Sequence, residues 1–469
     1  MARVKNMSKL DLDDTIAAVA TPAGEGGIAV IRVSGPRAFV AVQPFFATHE
    51  KSALSDKPAN TIVWGKFLDP AGSPVDQVLV SLFRAPQSYT GQDVLEISCH
   101  GGLAVTKKIL GILLTKGVRH AEPGEFTRRA FLNGKLDLTQ AEAVIDLIHA
   151  RSGRSLEIAI RQLSGSLSRA LKALKEELLR LLAHMEASLD FPEEDLEVDV
   201  KNGMRDQFTR VQEKIRSLLA GFDRNQLIRE GVLVTIAGKP NVGKSSLFNA
   251  LLERDRALVS DLPHTTRDQL EEALEIRGFY LRLRDTAGLI SAPGHPLDKM
   301  GMDRTLEALK ESNVVLYVVD GSAPLDASDR HVYQKIPPEK KTIAIINKCD
   351  LPFQAGGRDL EELLGTRPRI LLSTRTREGF AELEEAIAGF LEQETSEAGE
   401  QITKLRHKKA LESALTSLER AERSFLGEMS LEFVTPDLRA ALEAMKELTG
   451  EVYSEDLLDV IFSEFCIGK

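Results

Sequence analysis

The sequence predicts a multidomain protein of mixed α+β and α/β class. It should comprise a mixed N-terminal module, a helical domain made from two chain segments, and a parallel-sheet P-loop module inserted between those segments. Three observations carry this reading. The chain has 469 residues, against a prior of about 150 residues per domain. Its texture runs from short strands to long helical periods, then to alternating strands and helices, and back to helices. Finally, "GKPNVGKSS" at residues 238–246 follows the apolar run "VLVTIA" and opens a helical pattern, the context a phosphate-binding loop requires.

The elements follow in order. Residues 13 to 120 carry β-branched runs broken by glycine and proline, such as "TIAAVATPAGEGGIAVIRVSG", "TIVWGKFLD", "QVLVSLFRAP" and "DVLEISCHGG". The N-terminal module is therefore placed at 1–124. From 125 the period becomes helical, and Leu163, Leu167, Leu171, Leu174, Leu178 and Leu182 form one stripe that Pro192 ends. With a further amphipathic stretch reaching residue 222, the first helical segment spans 125–229. Between 230 and 395 the strands "GVLVTIAG", "VVLYVVDG" and "TIAIINK" alternate with helices, as in a parallel sheet. The second helical segment fills 396–469. It ends on "EVYSEDLLDVIFSEFCIGK", where Val452, Leu457, Leu458, Val460, Ile461, Phe462 and Phe465 are spaced to bury a helix.

The net charge of −10 argues against a protein that coats nucleic acid indiscriminately, so a nucleic-acid partner must meet a local basic patch. Two patches qualify: "KLRHKK" at 404–409, and Arg128, Arg129 and Lys135. No apolar run reaches the roughly 18 residues of a membrane span, and "MARVKNMSKLDLDD" lacks a signal sequence, so the expected location is the cytoplasm, without membrane association. Three cysteines, Cys99, Cys349 and Cys466, make neither a disulfide framework nor a four-cysteine zinc site. Cys99 reads as a buried strand residue. Cys466 stands four residues from the end, but Gly468 and Lys469 spoil a prenylation signal.

In the phosphate loop, Lys244 reaches the β and γ phosphates and the Ser245 hydroxyl is placed for magnesium; this pattern alone leaves ATP and GTP open. "DTAG" at 285–288, "NKCD" at 347–350 and "STR" at 373–375 then follow in the order found in small, Ras-like GTPases. That resemblance implies magnesium support from Asp285, γ-phosphate sensing by the Gly288 amide, and acceptance of the two guanine N–H groups by Asp350. Leu289 stands where a water-orienting glutamine is common, so Asp298 is the candidate acid. Asn241 offers an amide oxygen for a cation in place of an arginine finger.

Over its whole length the chain resembles the MnmE (TrmE) family of tRNA-modifying GTPases. The resemblance rests on "GGIAVIRVSG", "YTGQDVLEISCHGG", "AEPGEFTRRAFLNGKLDLTQAEAVIDLI", "DFPEED", the nucleotide motifs and the terminal "FCIGK". It implies an N-terminal folate-binding and dimerisation domain, a discontinuous helical domain and an inserted potassium-dependent GTPase domain. It also implies a homodimer working with MnmG (GidA), which uses FAD and NADH, in a heterotetramer or larger complex that builds a carboxymethylaminomethyl or aminomethyl group on carbon 5 of the wobble uridine of certain tRNAs. The one-carbon unit comes from a tetrahydrofolate.

Carried over by motif, the GTP contacts are Asn241, Val242, Gly243, Lys244, Ser245 and Ser246, then Ser260, Asp261, Leu262, Pro263, His264, Thr265 and Thr266. They continue with Asp285, Thr286, Ala287 and Gly288, with Asn347, Lys348, Cys349 and Asp350, and with Ser373, Thr374 and Arg375. Ser245 and Thr266 are implied as magnesium ligands; Asn241, Ser260, Leu262 and Thr265 are implied for potassium. Arg32, Glu96, Lys135 and Lys469 fall at 5-formyl-tetrahydrofolate contacts, and Asp298 and Cys466 are the candidate catalytic residues. Two departures stand out: His264 replaces a usual glycine, and Asp298 replaces a usual glutamate. Two other readings exist, a nucleotide-controlled RNA-binding switch and a folate-dependent transferase. The first has no use for a folate-type domain or the terminal cysteine, and the second none for the GTPase motifs.

Overall fold

The computed structural model describes residues 12–48, 52–190, 198–255, 271–285, 306–395, 402–427 and 429–469. The chain forms two compact units. One comprises Met1–Ile148, Arg161–Gln212 and Ala410–Lys469; the other comprises His149–Ile160 and Glu213–Lys409.

The first unit is built on a seven-stranded sheet of β1 (Ile16–Val19), β2 (Gly26–Ser34), β3 (Phe46–Ala47), β4 (Thr61–Leu68), β5 (Pro74–Phe83), β6 (Val94–Gly101) and β7 (Arg119–His120). Its strand order is β3-β4-β5-β6-β2-β1-β7. Because alternate strand residues face opposite sides, Ala29, Ile31 and Val33 of β2, Val78, Val80 and Leu82 of β5, and Leu95, Ile97 and Cys99 of β6 enter one core with Ile109 and Leu113 of the helix Leu103–Leu114. Cys99 is buried as its strand position predicts, and burial pushes its thiol up to about 11. The same alternation turns Arg32 of β2 and Glu96 of β6 to the other side, directly opposite each other in the antiparallel register.

The leucine stripe folds as two helices. Leu163 ends the helix Gly153–Leu163, and the stripe resumes in Ser166–Asp190. Between them Gly165 has φ +80, where a right-handed helix cannot continue. Leu167, Leu171, Leu174, Leu178 and Leu182 are buried, as are Leu181 and Met185. The expected break at Pro192 lies outside the described residues. At the C-terminal end, Ser454 caps the helix Glu455–Ser463 by accepting from the Leu457 N–H. Its residues Leu458, Ile461 and Phe462, with Phe465 beyond, pack on Phe131, Leu138, Val144 and Ile145. Val452 and Val460, expected in that core, are exposed instead, Val460 because it lies on the opposite side of the helix from Leu458 and Phe462.

The second unit holds a six-stranded sheet of order β13-β12-β11-β8-β10-β9. The strands are β8 (Val232–Ala237), β9 (Glu271–Ile276), β10 (Phe279–Asp285), β11 (Val314–Asp320), β12 (Lys341–Asn347) and β13 (Arg369–Leu372). All pairings are parallel except that of the edge strand β9 with β10. Both faces are covered, so the central strands read as unbroken apolar runs. Along β11, Val314, Leu316 and Val318 enter one core while Val315, Tyr317 and Val319 enter the other. No helix among the described residues is long and apolar enough to cross a membrane.

Phe462 is 1% exposed at the centre of the tail-bearing cluster. The Phe462→Ala change should cost about 3–5 kcal/mol through lost burial and the cavity left behind. Urea denaturation, followed by the loss of helical signal, should show the first unit unfolding at lower denaturant with an unchanged slope.

Candidate functional site

In a parallel sheet, ligands are met at the carboxyl ends of the strands. Here those ends deliver the nucleotide motifs: Gly238 follows β8, Asp285 ends β10, Asp320 ends β11, Asn347 ends β12 and Ser373 follows β13. The phosphate loop runs from Gly238 into the helix Lys244–Asp255. Gly243 has φ +98, and a Cβ there would lie 2.2 Å from Asn347 Nδ2. Only glycine allows this approach.

That approach matters because Asn347, almost fully buried, ties three segments together. Its Nδ2 donates to the Val242 carbonyl at 2.8 Å, and its Oδ1 accepts from the Thr374 N–H at 3.3 Å. Lys348 donates to the Asn241 carbonyl at 3.2 Å and to Asp320 Oδ2 at 2.5 Å. Asn241 itself has φ +65, a left-handed conformation asparagine tolerates. The Lys244 ammonium donates to the Lys239 carbonyl at 2.9 Å. Burial lowers the pKa of Lys244, and the charge of Asp285 works against that shift. The Ser245 hydroxyl donates to Asp285 Oδ2 at 3.1 Å. A hydroxyl and a carboxylate side by side at the mouth of a phosphate loop are hard oxygen donors of the kind magnesium takes together with phosphate oxygens. Ser246 is exposed in the first turn of the same helix.

At the other end of the site, Asp350 Oδ1 accepts from the Ser373 hydroxyl at 2.6 Å and Oδ2 pairs with Arg375 at 2.7 Å. The Ser373 hydrogen bond, with help from Arg375, holds the Asp350 carboxyl below its ordinary value, so it is an ionised acceptor at neutral pH. Cys349, between Lys348 and Asp350, contributes its main chain, donating from N–H to the Leu372 carbonyl at 3.2 Å. Burial pushes its thiol up. Ser260, Asp261, Leu262, Pro263, His264, Thr265, Thr266, Thr286, Ala287, Gly288, Leu289 and Asp298 lie outside the described residues.

In the first unit the C-terminal tail is threaded onto the strand face opposite the main core. Ile467 bridges Pro123 as a short antiparallel pair. The Gly124 N–H donates to the Cys466 oxygen at 3.4 Å, and the Phe126 N–H donates to the Lys469 main-chain oxygen at 3.1 Å. Gly468 adopts φ +96, and a Cβ would lie 2.3 Å from the Val19 oxygen, so the penultimate glycine fits where no other residue does. Arg32 donates to the Gly468 carbonyl at 3.3 Å and through Nε to Glu96 Oε1 at 2.9 Å. Its guanidinium lies 5.3 Å from the Tyr89 ring centroid and 5.6 Å from that of Phe126. Arg32, Glu96 and the tail are therefore brought together. Lys135 takes a different partner, the Pro86 carbonyl at 3.0 Å. Cys466 is exposed. Sequence reasoning passed over Tyr89 and Phe126, although both stand inside the quoted motifs.

One expected basic patch dissolves. Arg129 is fully buried against Asp14, Glu125 and Gln92, and Arg128 is buried against Glu455 at 2.5 Å and Asp459 at 2.8 Å. Neither offers charge to a polyanion, because each neutralises acids the fold has already placed beside it. In "KLRHKK", Lys404 and His407 are buried, and Lys408 lies over the Phe222 ring and pairs with Asp223 at 3.1 Å.

Comparison with known families places the "GTP-binding protein TrmE N-terminus" over residues 15–135 and the "MnmE helical domain" over residues 138–466. The tRNA modification GTPase MnmE of Carboxydothermus hydrogenoformans is 43% identical over 464 residues, which cover 98% of this chain and 100% of that protein. The protein of the same name from Acetivibrio thermocellus is 41% identical, covering 97% and 99%, and that from Geobacter sulfurreducens is 42% identical, covering 98% and 100%.

The Gly243→Ala change sets a methyl group against Asn347 and strains a left-handed position. It should weaken nucleotide binding roughly 10- to 100-fold, the effect of about 1–3 kcal/mol of backbone strain. Titration of a fluorescent guanine nucleotide measures this, and near-normal affinity would show that the loop can relax around the methyl.

Proposed function

The chain belongs to the MnmE family of tRNA modification GTPases, and from that premise we propose that it couples potassium-dependent GTP hydrolysis to modification of carbon 5 of the wobble uridine in certain tRNAs. The observation that carries this reading is that one chain holds both a phosphate loop tied to a guanine-type acceptor, Asp350, and a C-terminal tail bound beside Arg32 and Glu96. In this reading the chain divides into a folate-binding and dimerisation domain at 1–124, a helical domain at 125–229 and 396–469, and the GTPase domain at 230–395.

The loop amides and Lys244 hold the phosphates of GTP, and Asp350 accepts the guanine N–H groups that adenine lacks. Ser245 and Thr266 would hold magnesium, which would offset phosphate charge when bound, and Asp285, which accepts the Ser245 hydroxyl, would support it. When bound, potassium supplies the positive charge that an arginine finger gives other GTPases. The residues that would hold it are Asn241, Ser260, Leu262 and Thr265, and the left-handed backbone at Asn241, pinned by Lys348, supports the first. Asp298 orients the attacking water, because Leu289 stands where other GTPases carry a water-orienting glutamine.

For the second site, the carboxylate of Glu96 and the two aromatic rings around Arg32 suit a flat heterocycle with N–H donors, which supports a tetrahydrofolate bound by Arg32, Glu96, Lys135 and Lys469. The folate supplies the one-carbon unit. FAD and NADH belong to the partner, MnmG (GidA), which meets a homodimer of this chain in a heterotetramer or larger assembly. Cys466, exposed on the bound tail, is the candidate nucleophile. A tRNA substrate goes with a cytoplasmic address.

GTP hydrolysis should be at least about 10-fold faster in potassium than in sodium, given what a finger charge contributes. Asn241→Ala should remove the difference while nucleotide affinity holds within a few-fold. Equal wild-type rates in the two salts would refute the cation assignment. For the tail, mass analysis of nucleosides from cells carrying Cys466→Ser should show the modified uridine lost while purified protein hydrolyses GTP normally. Full modification would leave the tail a binding role only.

A further inference from the structure

The phosphate loop carries a second lysine that nucleotide chemistry does not use. Lys239 donates to Asp326 Oδ2 at 2.9 Å and to Asp329 Oδ2 at 2.7 Å. These acids begin the helix Ala327–Gln334, where Asp326 accepts from the Ser328 and Asp329 N–H groups and Asp329 accepts from the Asp326 N–H. Asp329 is 1% exposed, and its main-chain oxygen takes the Tyr317 hydroxyl from β11 at 2.8 Å. The lysine therefore reaches a carboxylate held by the helix cap, on a residue whose main chain is tied to the sheet. Burial opposes the charge on Lys239, yet its hydrogen bonds to Asp329 and Asp326 keep its pKa above the ordinary value. An exposed pair of this kind would count for little, but a buried carboxylate stripped of its partner is strongly unfavourable.

The main chain of Lys239 has the complementary task, since its carbonyl accepts the Lys244 ammonium. At the far shoulder of the loop, Lys348 joins the Asn241 carbonyl to Asp320. The loop is thus strung between two lysine–aspartate clamps whose acids come from the end of β11 and the helix after it.

We propose that Lys239 is a positioning residue for nucleotide binding, clamped by Asp326 and Asp329 so that the phosphate loop holds its binding shape before a nucleotide arrives. The inference rests on the guanine-nucleotide reading above. Because the clamp reduces reorganisation rather than touching the reacting phosphate, it acts on GDP and GTP alike and leaves the hydrolytic step little changed.

Dissociation of fluorescent GDP and of a fluorescent non-hydrolysable GTP analogue, followed by stopped flow on the full chain, tests this. In Lys239→Met both rates should rise roughly 10-fold. KM should rise with them, while kcat at saturating GTP stays within about 3-fold. Lys239→Arg should restore both rates, since its guanidinium can serve the same two carboxylates. Lys239→Met with Asp329→Asn should dissociate no faster than Lys239→Met alone, because the two changes break one clamp. Should Lys239→Met not fold, Asp326→Asn weakens the clamp at its exposed acid and should raise both rates by a smaller factor. Wild-type dissociation rates in Lys239→Met, with only its melting temperature lowered, would reduce the lysine to a structural role and overturn the inference, as would a fall in kcat alone. Wild-type protein that binds neither nucleotide would instead refute the functional reading itself, and that measurement comes first.

Discussion

Both candidate sites depend on one constraint: main-chain carbonyls that would otherwise be free to turn are held by fixed side-chain donors. Asn347 holds the Val242 carbonyl, Lys348 that of Asn241, Lys244 that of Lys239, Arg32 that of Gly468, and Arg129 that of Asp14. Each peptide group has a donor and an acceptor, so fixing the carbonyl also aims the neighbouring N–H groups. In the phosphate loop this fixes the peptide planes on either side of each held carbonyl, the kind of constraint that gives a loop of amides its strength as an anion site. In the tail it presents Cys466 and Lys469 from a segment with very little regular structure of its own.

The donors are themselves fixed by topology. Asn347 ends β12 in register with Asp320 at the end of β11, and the left-handed turn at the next residue, Lys348, sets its ammonium on that acid. In the first unit, antiparallel pairing of β2 with β6 sets Arg32 opposite Glu96 in the same way. The helix that receives the tail, Glu125–Leu132, is anchored by a buried charge cluster in which Glu125 takes hydrogen bonds from Arg119 and Arg129. Burial alone would raise the Glu125 pKa, yet hydrogen bonds from Arg119, the Glu122 N–H and Arg129 more than offset it and lower the pKa. The charges are therefore structural, and they fix the helix end on which the tail rests.

Much of this was legible in the sequence, and what was not has physical causes. The nucleotide motifs could be read because a phosphate loop demands particular residues at particular spacings. The parallel sheet could be read because strands covered on both faces become continuous apolar runs. Arg128 and Arg129 misled because a pair of arginines in a helical stretch looks like surface; only the fold shows that Glu125, Asp14, Glu455 and Asp459 surround them, the last two more than 300 residues away. Val460 misled because an apolar residue two places from Leu458 satisfies a composition count but not a helical face. Tyr89, Phe126 and the acids of Lys239 were missed since nothing local in the chain announces a partner brought in from another element.

The separation between partners also bears on how the tail site tolerates an inserted domain. Arg32 and Gly468 are 436 residues apart, and the second unit occupies a large part of that span. Closing a flexible loop costs in proportion to the logarithm of its length, so an insertion that roughly doubles the separation adds only about 0.6 kcal/mol. A single buried aromatic such as Phe462, worth several times that, repays it. The tail can therefore depend on residues from both ends of the chain without a large penalty from the module between them. Its placement depends instead on the helix Glu455–Ser463 docking on Arg128 and on the Phe131 cluster, which carries Cys466 and Lys469 to their positions.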